Sequence, residues 1–476
     1  MNAAKNVIQM PVKKPIFQAI QDGLTDVFNA NRFAQKFTGE LTYVPQRKTW
    51  MEFNEHCWKA DDNRFVVQKA IELTKEFLLD SSMLMMQAHK LTSKDAQREA
   101  IEQATKLAKH AMHCQSKKSL DALLSIAATE PSLCVSNSVF DADNNLFGVK
   151  NGVVELSKMQ FRDGQPDDFI TKQANTEFDI KATCENWDKF LEQMQPDAEV
   201  RLWLQKFIGY AISGDCGEQI FVVFHGNGSN GKGVFINTIK QIFGDYMQTM
   251  QFDTFTDKDK SAIRNDLACL DKVRLVIANE GADGAKLDEG IVKQLTGQDE
   301  ITARFLHKEF FTYKPTFAVL LVTNHKPLIT GTDNGIWRRN VLVPWATTIE
   351  KDQADKNLSD KLAREKAGIL NWAFEGYKLW KKEGLTLPTS LVLANDTYRK
   401  DSDVLGSWIE EDCEVEEGCW ESTSELYKSY ETWAKRSGHR AMSQKTLGDK
   451  FRERGFEMAK KRGNRGWKGL KVKLPF

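Results

Sequence analysis

Gly226-Asn-Gly-Ser-Asn-Gly-Lys-Gly233 is the stretch of this chain that decides its fold. It lies between an apolar run, 219–224, that predicts a strand and an amphipathic run, 234–243, that predicts a helix. Glycines let backbone N–H groups converge on an anion, and the dipole of the following helix favours the same negative charge. We therefore predict a phosphate-binding loop for ATP, in which Lys232 reaches the β- and γ-phosphates. The loop residues are Gly226, Asn227, Gly228, Ser229, Asn230, Gly231, Lys232 and Gly233.

The apolar runs 273–278 and 318–322 predict two further buried strands. Because strands alternate with helical segments here, the pattern favours an α/β fold with a parallel sheet. Helical spacing dominates 64–128, strand-like segments occupy 139–180, and the C-terminal region resembles a small α+β unit. We predict an N-terminal helical/α+β domain (1–182), a motor domain (183–384) and a basic C-terminal domain (385–476).

Composition indicates a water-soluble protein. The chain has 476 residues, of which 41% are hydrophobic and 28% charged, as in ordinary globular domains. Its longest apolar runs fall far below the roughly 20 residues that span a bilayer, and no signal-peptide core is present. We therefore expect no membrane association and a cytoplasmic location. The eight cysteines contain no C-x-x-C pair, which favours reduced structural thiols over a zinc site.

A hydrolase needs a carboxylate at the end of a neighbouring strand. Glu280 follows the 273–278 strand and is the candidate general base and Mg²⁺ ligand. Two groups usually linked to the metal are missing, because Gly233 replaces a serine or threonine and Asn279 replaces a first acid. Mg²⁺ would then be held by water, by Thr238 or by another nearby group. The alternative is that Glu280 is an ordinary surface glutamate at the end of a strand, with no catalytic role.

The third strand ends at Asn324, whose amide is placed to orient an attacking water and sense the γ-phosphate. Arg338 and Arg339 follow Trp337 further along. In a ring of subunits, one of them would stabilise the transition state at the neighbour's nucleotide. The alternative is that both arginines pair with surface acids, and the sequence does not distinguish which arginine would act.

The C-terminal charge pattern is uneven although the whole chain is neutral, with 66 basic and 66 acidic residues. Residues 445–473 hold eleven lysines and arginines against three acids. This cluster surrounds a glycine-rich turn with one tryptophan, which is typical of a β-wing against DNA phosphates. The alternative is an ordinary solvated charge run. The candidate DNA contacts here are Lys460, Lys461, Arg462, Arg465 and Lys468.

Taken in order, the motifs resemble those of the superfamily 3 helicases, in particular the phage and plasmid primase–helicase family that includes the poxvirus primase-helicase. After the glycine loop come Arg274-Leu-Val with Asn279-Glu280, then 293–304, then Thr323-Asn-His-Lys-Pro327 and Ile336-Trp-Arg-Arg339. The resemblance extends over roughly residues 30–476, since 151–156 resembles the domain before the family's motor and 396–401 its winged-helix region.

The resemblance implies an AAA+-like motor followed by a winged-helix domain. It also implies a hexameric ring that hydrolyses ATP with Mg²⁺ and translocates on single-stranded and forked DNA in a host cell's cytoplasm. It places a DNA-contacting hairpin near 305–308, with Arg304, His307 and Lys308 as candidate contacts. The alternative for these three residues is a solvated hairpin tip.

Two functions from different classes follow. The first is a replicative DNA helicase of a phage, plasmid or mobile element, with a separate primase or polymerase as a partner left open. The second is an origin-binding initiator or loader that uses ATP mainly for assembly. A small-molecule P-loop kinase explains neither the arginine pair nor the basic tail. Residues 1–60 show no carboxylate cluster for two-metal chemistry, so we expect this chain to lack an upstream primase catalytic domain.

Overall fold

The computed structural model describes residues 23–473 apart from 257–264, 280–285, 307, 330, 332–333, 351, 353, 440 and 462. Over residues 23–127, four helices accompany a small antiparallel sheet of order β1-β2-β3. Side chains of Thr25, Ser93 and Ser116 cap α1, α3 and α4 by accepting a bond from a first-turn amide. The elements are α1 (Asp26–Phe37), β1 (Leu41–Val44), β2 (Thr49–Asn54), β3 (Cys57–Ala60), α2 (Phe65–Ala88), α3 (Lys94–Cys114) and α4 (Lys117–Ala127).

A second antiparallel sheet links this region to the rest of the chain. It comprises β4 (Leu146–Val149), β5 (Gly152–Glu155) and β6 (Gln160–Arg162). Phe147 stacks on Tyr246 at 4.5 Å between ring centroids, and the Gly148 amide donates to the Tyr246 hydroxyl at 2.8 Å. The sheet thus shares the hydrophobic core of the motor region, although the predicted boundary at 182 assigned it to the N-terminal domain.

The motor region is built around a five-stranded sheet of order β13-β7-β12-β9-β8, in which every neighbouring pair is parallel. The predicted parallel α/β sheet is confirmed, and the three predicted strands lie within two residues of β7, β9 and β12. The elements are α5 (Glu185–Met194), α6 (Ala198–Ser213), β7 (Phe221–His225), α7 (Lys232–Phe243), β8 (Met247–Gln251), α8 (Asn265–Ala268), β9 (Leu275–Asn279), α9 (Glu289–Leu295), β10 (Ile301–Ala303), β11 (Phe311–Tyr313), β12 (Ala318–Thr323), α10 (Asn334–Trp337), β13 (Asn340–Pro344), α11 (Leu358–Arg364) and α12 (Lys366–Glu383).

Both faces of this sheet are buried, which explains why its strands read as unbroken apolar runs. Along β7, Val222 and Phe224 belong to the core shared with α5–α7, α11 and α12. Phe221 and Val223 point to a second core on the opposite face. Because successive side chains of a strand point to opposite faces of the sheet, one apolar run contributes to two separate hydrophobic cores.

The C-terminal unit has its own core, formed around four fully buried tryptophan and tyrosine side chains, Trp408, Tyr430, Trp433 and Trp467. The preceding helix α13 instead packs on the motor, where the Leu342 amide donates to Asn395 Oδ1 at 2.9 Å. Leu405 and Trp408, on the helix that follows α13, are the first residues in sequence that belong to the C-terminal core. The elements are α13 (Thr389–Ser402), α14 (Val404–Asp412), β14 (Cys413–Glu414), β15 (Trp420–Ser422), α15 (Thr423–Arg436), α16 (Gln444–Glu453), β16 (Met458–Lys461), β17 (Asn464–Lys468) and β18 (Lys471–Val472).

Among the described residues, no helix combines the length and apolar character needed to cross a bilayer.

Candidate functional site

The carboxyl ends of three adjacent parallel strands form one edge of the motor sheet. His225 at the end of β7 lies beside Thr323 at the end of β12, and Asn279 at the end of β9 lies beside Val322. The chain leaves β7 for β8 at the far edge of the sheet, whereas β12 is followed by β13 on the other side of β7. Ligands of open α/β sheets bind at such a switch in strand order.

The glycine loop joins β7 to α7 at this edge. Gly231 caps α7 in the left-handed conformation with φ of 78°, and a Cβ on Gly226 would overlap the Trp345 carbonyl and the Asn230 amide. Asn230 is buried and donates from Nδ2 to the Trp345 carbonyl at 3.0 Å. The Ile349 amide donates to the Ser229 carbonyl at 3.0 Å. The segment after β13 thus ties the loop in place before any ligand arrives.

Lys232 is the first residue of α7 and is 95% buried, with a relative exposure of 5%. Its ammonium donates to the Gly226 carbonyl at 2.5 Å and to Asn324 Oδ1 at 3.2 Å. Asn324 is presented by a tight turn, in which the Thr323 hydroxyl bonds the His325 carbonyl at 2.8 Å. The structure therefore brings together two predicted site residues that are 92 positions apart, at a helix N-terminus suited to an anion.

Two lysine side chains, Lys232 and Lys326, lie near His225 at this edge of the sheet. The pKa of His225 is lowered by burial and, in addition, by the nearby ammonium groups of Lys326 and Lys232. The two ammonium groups near His225 favour the binding of a phosphate anion beside the loop.

The predicted Mg²⁺ ligands are Glu280 and, as one alternative, Thr238. Glu280 lies outside the described residues, so its roles as general base and Mg²⁺ ligand stay predictions. Thr238 is buried, and it lies five residues beyond Gly233, about 7.5 Å further along the helix. It cannot take the place of a hydroxyl at 233. Over the described ranges, the structure brings no three acidic, histidine or cysteine side chains together as a metal cluster.

Gly233 has open space around it, because a Cβ built there meets no atom within 4 Å. We predict that Gly233→Ser folds normally and lowers the Mg²⁺ concentration needed for half-maximal ATP turnover by about threefold to tenfold, since the new hydroxyl supplies the usual ligand. A Mg²⁺ titration of ATPase activity measures this. Gly226→Ser is the matched control and should lose activity, because its Cβ collides with the Trp345 carbonyl. An unchanged Mg²⁺ requirement in Gly233→Ser would contradict the prediction.

The arginine pair lies at the opposite end of the sheet from the loop, just before β13. Arg338 is exposed, whereas Arg339 is half-buried and donates from Nη1 to the Gly335 carbonyl at 2.7 Å. Both guanidinium groups also donate to Gln219 Oε1. The outward position of Arg338 makes it the better placed of the two to reach a neighbouring molecule.

The predicted hairpin is present, since β10 and β11 pair antiparallel and residues 304–310 join them. The Arg304 guanidinium lies 4.5 Å from the ring centroid of Phe310. Lys308 is exposed, and His307 falls outside the described residues. Three large apolar side chains of this connection are exposed, Phe305 by 43%, Leu306 by 57% and Phe310 by 63%. Exposed aromatic rings beside cations form a surface suited to stacking on nucleic-acid bases.

The basic C-terminal hairpin is formed by β16 and β17, where Lys460 lies opposite Arg465. Both residues and Lys461 are exposed, whereas exposed Lys468 pairs with Glu457 at 3.1 Å. Arg462 lies outside the described residues. The hairpin therefore presents cations to solvent next to the helices α15 and α16.

Two protein-family models and several viral proteins match parts of this chain. A model described as "D5 N terminal like" matches residues 30–196, and one described as "Family of unknown function (DUF5906)" matches 224–339, the range from the loop to the arginine pair. "Putative helicase L207/L206" of Acanthamoeba polyphaga mimivirus is 28% identical over 81% of this chain and 43% of its own length. Together, these matches support a D5-like primase–helicase family for this chain.

Other relatives of this D5-like chain match more narrowly. "Putative primase C962R" of African swine fever virus (isolate Warthog/Namibia/Wart80/1980) is 24% identical over 32% of this chain and 17% of its own length. The apo structure of the NrS-1 C-terminal region aligns at 13% identity with a TM-score of 0.39, over 62% of this chain and 77% of that one. The chain spans less than half the length of the curated relatives it matches.

Sequence reasoning missed two features of this D5-like site. The first is Gln219, which contacts both arginines but precedes them by more than a hundred positions. The second is the set of exposed apolar side chains on the β10–β11 connection. The sequence does indicate the exposed apolar side chains, because Phe305-Leu306 and Phe310 flank charged residues between two strand-like runs.

Proposed function

We propose that this chain is an ATP-driven DNA helicase, a motor that hydrolyses ATP with Mg²⁺ and translocates on single-stranded DNA. The observation that carries the proposal is the contact of the loop lysine, Lys232, with Asn324 at the carboxyl edge of a parallel sheet. A lysine and a polar sensor around one γ-phosphate position are what phosphoryl transfer to water requires. The relatives described as helicases and a primase support a replication role.

The DNA contact is assigned to the connection between β10 and β11. Arg304 and Lys308 would neutralise phosphates there, while Phe305 and Phe310 would stack on bases. Stacking of aromatic side chains on bases does not depend on the DNA sequence, because every base has a π-face. This suits a motor that must move along any strand.

The subunits are proposed to form a ring, hexameric as in the resemblance. The support is the position of Arg338, which is exposed and lies far from the phosphate loop of its own chain. An arginine there would serve a neighbour's nucleotide and would be idle in a monomer. We therefore assign Arg338 as the trans-acting arginine and Arg339 as its support.

A mixing experiment tests the arginine assignment. Arg338→Ala is expected to lower ATP turnover by about a hundredfold or more, since removal of a trans arginine costs about 10³ in related phosphoryl transfers. Mixing it with Lys232→Ala subunits should restore part of the turnover, because those subunits supply intact arginines to intact loops. Arg339→Ala should lose less turnover than Arg338→Ala, because Arg339 acts on the neighbour's nucleotide only through Arg338 and their shared contact with Gln219. Complementation by Arg339→Ala and not by Arg338→Ala would reverse the assignment.

The C-terminal unit is proposed to be a winged-helix domain. Its order is a helix, short strands, the two helices α15 and α16, and the basic hairpin β16–β17. A helix pair followed by a cationic hairpin suits binding across DNA phosphates.

The wing makes a measurable prediction. Lys460→Ala combined with Arg465→Ala should weaken duplex DNA binding and reduce the slope of log affinity against log salt by about two, one for each lost phosphate contact. Fluorescence anisotropy at several salt concentrations gives the slope. Lys106→Ala, which removes an exposed lysine of α3, should leave the slope unchanged. Equal slopes for the wing double variant and wild type would remove the wing from the interface.

A second candidate, an origin-binding initiator, is favoured by the same helix pair and wing. Strand displacement on forked DNA separates the two functions. The helicase proposal expects ATP-dependent release of the displaced strand with no sequence requirement. The initiator alternative expects tight binding to one duplex sequence with ATP-dependent assembly and no displacement.

A further inference from the structure

One amide oxygen receives both arginines. Gln219 Oε1 accepts from Arg338 Nη2 at 2.7 Å and from Arg339 Nη2 at 3.2 Å. Gln219 lies two residues before β7, and the arginines lie immediately before β13. β7 and β13 are parallel neighbours, so all three side chains meet at the amino-terminal ends of these strands.

The backbone around Gln219 is held from several sides. The Gln219 amide donates to the Cys216 carbonyl at 3.2 Å, and the adjacent Glu218 accepts from Trp380 Nε1 at 2.6 Å. On the other side, the Phe221 amide donates to the Arg339 carbonyl at 2.7 Å. These contacts fix where the Gln219 side chain begins, so its oxygen has a defined place relative to the arginines.

Gln219 also adopts a backbone conformation that glutamine seldom takes. Its φ is 54°, in the left-handed region that residues with a Cβ atom seldom occupy. Glycine and asparagine occupy this region more readily. The backbone conformation therefore does not explain why glutamine stands at this position. The contact of its amide oxygen with both arginines does explain it.

An amide oxygen orients a guanidinium without cancelling its charge. A guanidinium has five N–H donors, and the bond to Gln219 engages one of those of Arg338. The remaining donors of this exposed side chain can face an anion outside the chain. A carboxylate at the same place would form an ion pair and reduce the positive potential that an anion meets.

We propose that Gln219 is a positioning residue, whose amide oxygen aims the Arg338 guanidinium at the nucleotide of a neighbouring subunit and, through Arg339, braces the pair. The inference rests on the proposed function, because it presupposes ATP hydrolysis at a subunit interface. Gln219 lies just before β7, the strand that leads into the phosphate loop. The same strand therefore positions the loop for the chain's own nucleotide and the amide that orients Arg338.

Two variants test this in the full chain. Gln219→Met keeps the length of the side chain and removes its acceptor. Gln219→Asn keeps an amide, suits the left-handed backbone and falls one methylene short. Both are expected to lower kcat for ATP about tenfold, the loss of one charge-assisted hydrogen bond in the transition state. The Kd for ATP should stay within twofold, because the phosphate loop is untouched. Gln219→Asn should melt at or above the wild-type temperature.

Coupling to Arg338 separates positioning from a structural role. The Gln219→Met/Arg338→Ala double variant should be no slower than Arg338→Ala alone, since both act through one group. Lys232→Ala subunits should restore turnover to Gln219→Met subunits in mixtures. Wild-type turnover in Gln219→Met, or additive losses in the double variant, would overturn the inference while leaving an active Lys232-dependent ATPase intact. A wild-type protein without ATPase activity would overturn the inference and the proposed function together.

Discussion

Lys232→Ala is expected to lower ATP turnover by about a hundredfold or more, and with it any strand displacement. The ammonium is buried beside the loop, where it is held by the Gly226 carbonyl and Asn324 Oδ1 at 2.5 and 3.2 Å. A charge in a confined, partly desolvated site acts on phosphate far more strongly than one in water. Turnover measured by phosphate release and unwinding measured on forked DNA should therefore fall together.

Lys240→Ala is the matched control, because Lys240 is an exposed lysine on the same helix α7. It should retain wild-type activity. Assembly of Lys232→Ala should also be largely unchanged, since the side chain points into its own subunit. A titration of His225 offers an independent check. Removing the Lys232 ammonium eliminates one of the charges that lower the pKa of His225, so that pKa should rise. A fully active Lys232→Ala protein would refute the mechanism.

Arg274→Met is expected to destabilise the protein by about 3 kcal/mol, a large part of the 5–15 kcal/mol that usually holds a fold together. Arg274 is buried, and burial lowers its pKa from the ordinary value. Its guanidinium donates to the carbonyls of Asn144 at 3.0 Å, Leu146 at 2.8 Å and Ile212. Methionine would fill much of the volume but leave these buried carbonyls without their donors.

The position of those carbonyls adds a second expectation. Asn144 precedes β4, Leu146 begins it, and Ile212 lies in α6, so Arg274 connects the β4–β6 sheet to helix α6 of the motor. Urea unfolding of Arg274→Met, followed by circular dichroism and tryptophan fluorescence, should show a lower midpoint. Arg98→Met, on the exposed surface of α3, should shift the unfolding free energy by no more than about 0.5 kcal/mol. A midpoint for Arg274→Met equal to that of the control would disprove the role as a connector.

Much of the site was predictable because its signals are local. A glycine-rich turn between an apolar strand and a helix is written within 25 consecutive residues, 219–243. The burial of β9 and β12 was also readable, since a strand covered on both faces needs an unbroken apolar run. The basic hairpin of the C-terminal unit was predictable for the same reason, because its glycines and cations are neighbours in the chain.

The domain boundaries were less predictable. Residues 146–162 form a local antiparallel sheet, yet they pack on Tyr246 and share the motor core. Helix α13 follows a proline boundary signal at 388, but Asn395 and Tyr398 bind it to the motor. Composition shifts along the chain mark changes of local structure, and they carry no information about which surface a segment packs against.

By itself, the sequence determined the glycine loop, the buried parallel strands, the arginine pair and the basic hairpin, because each is set by residues close together in the chain. The tertiary structure alone decided that Asn324 meets Lys232, that Arg338 faces outward while Arg339 is held, and that Gln219 receives both. Those contacts join segments about 90 to 120 positions apart. They depend on strand order and register in the sheet, which no local pattern of side chains specifies.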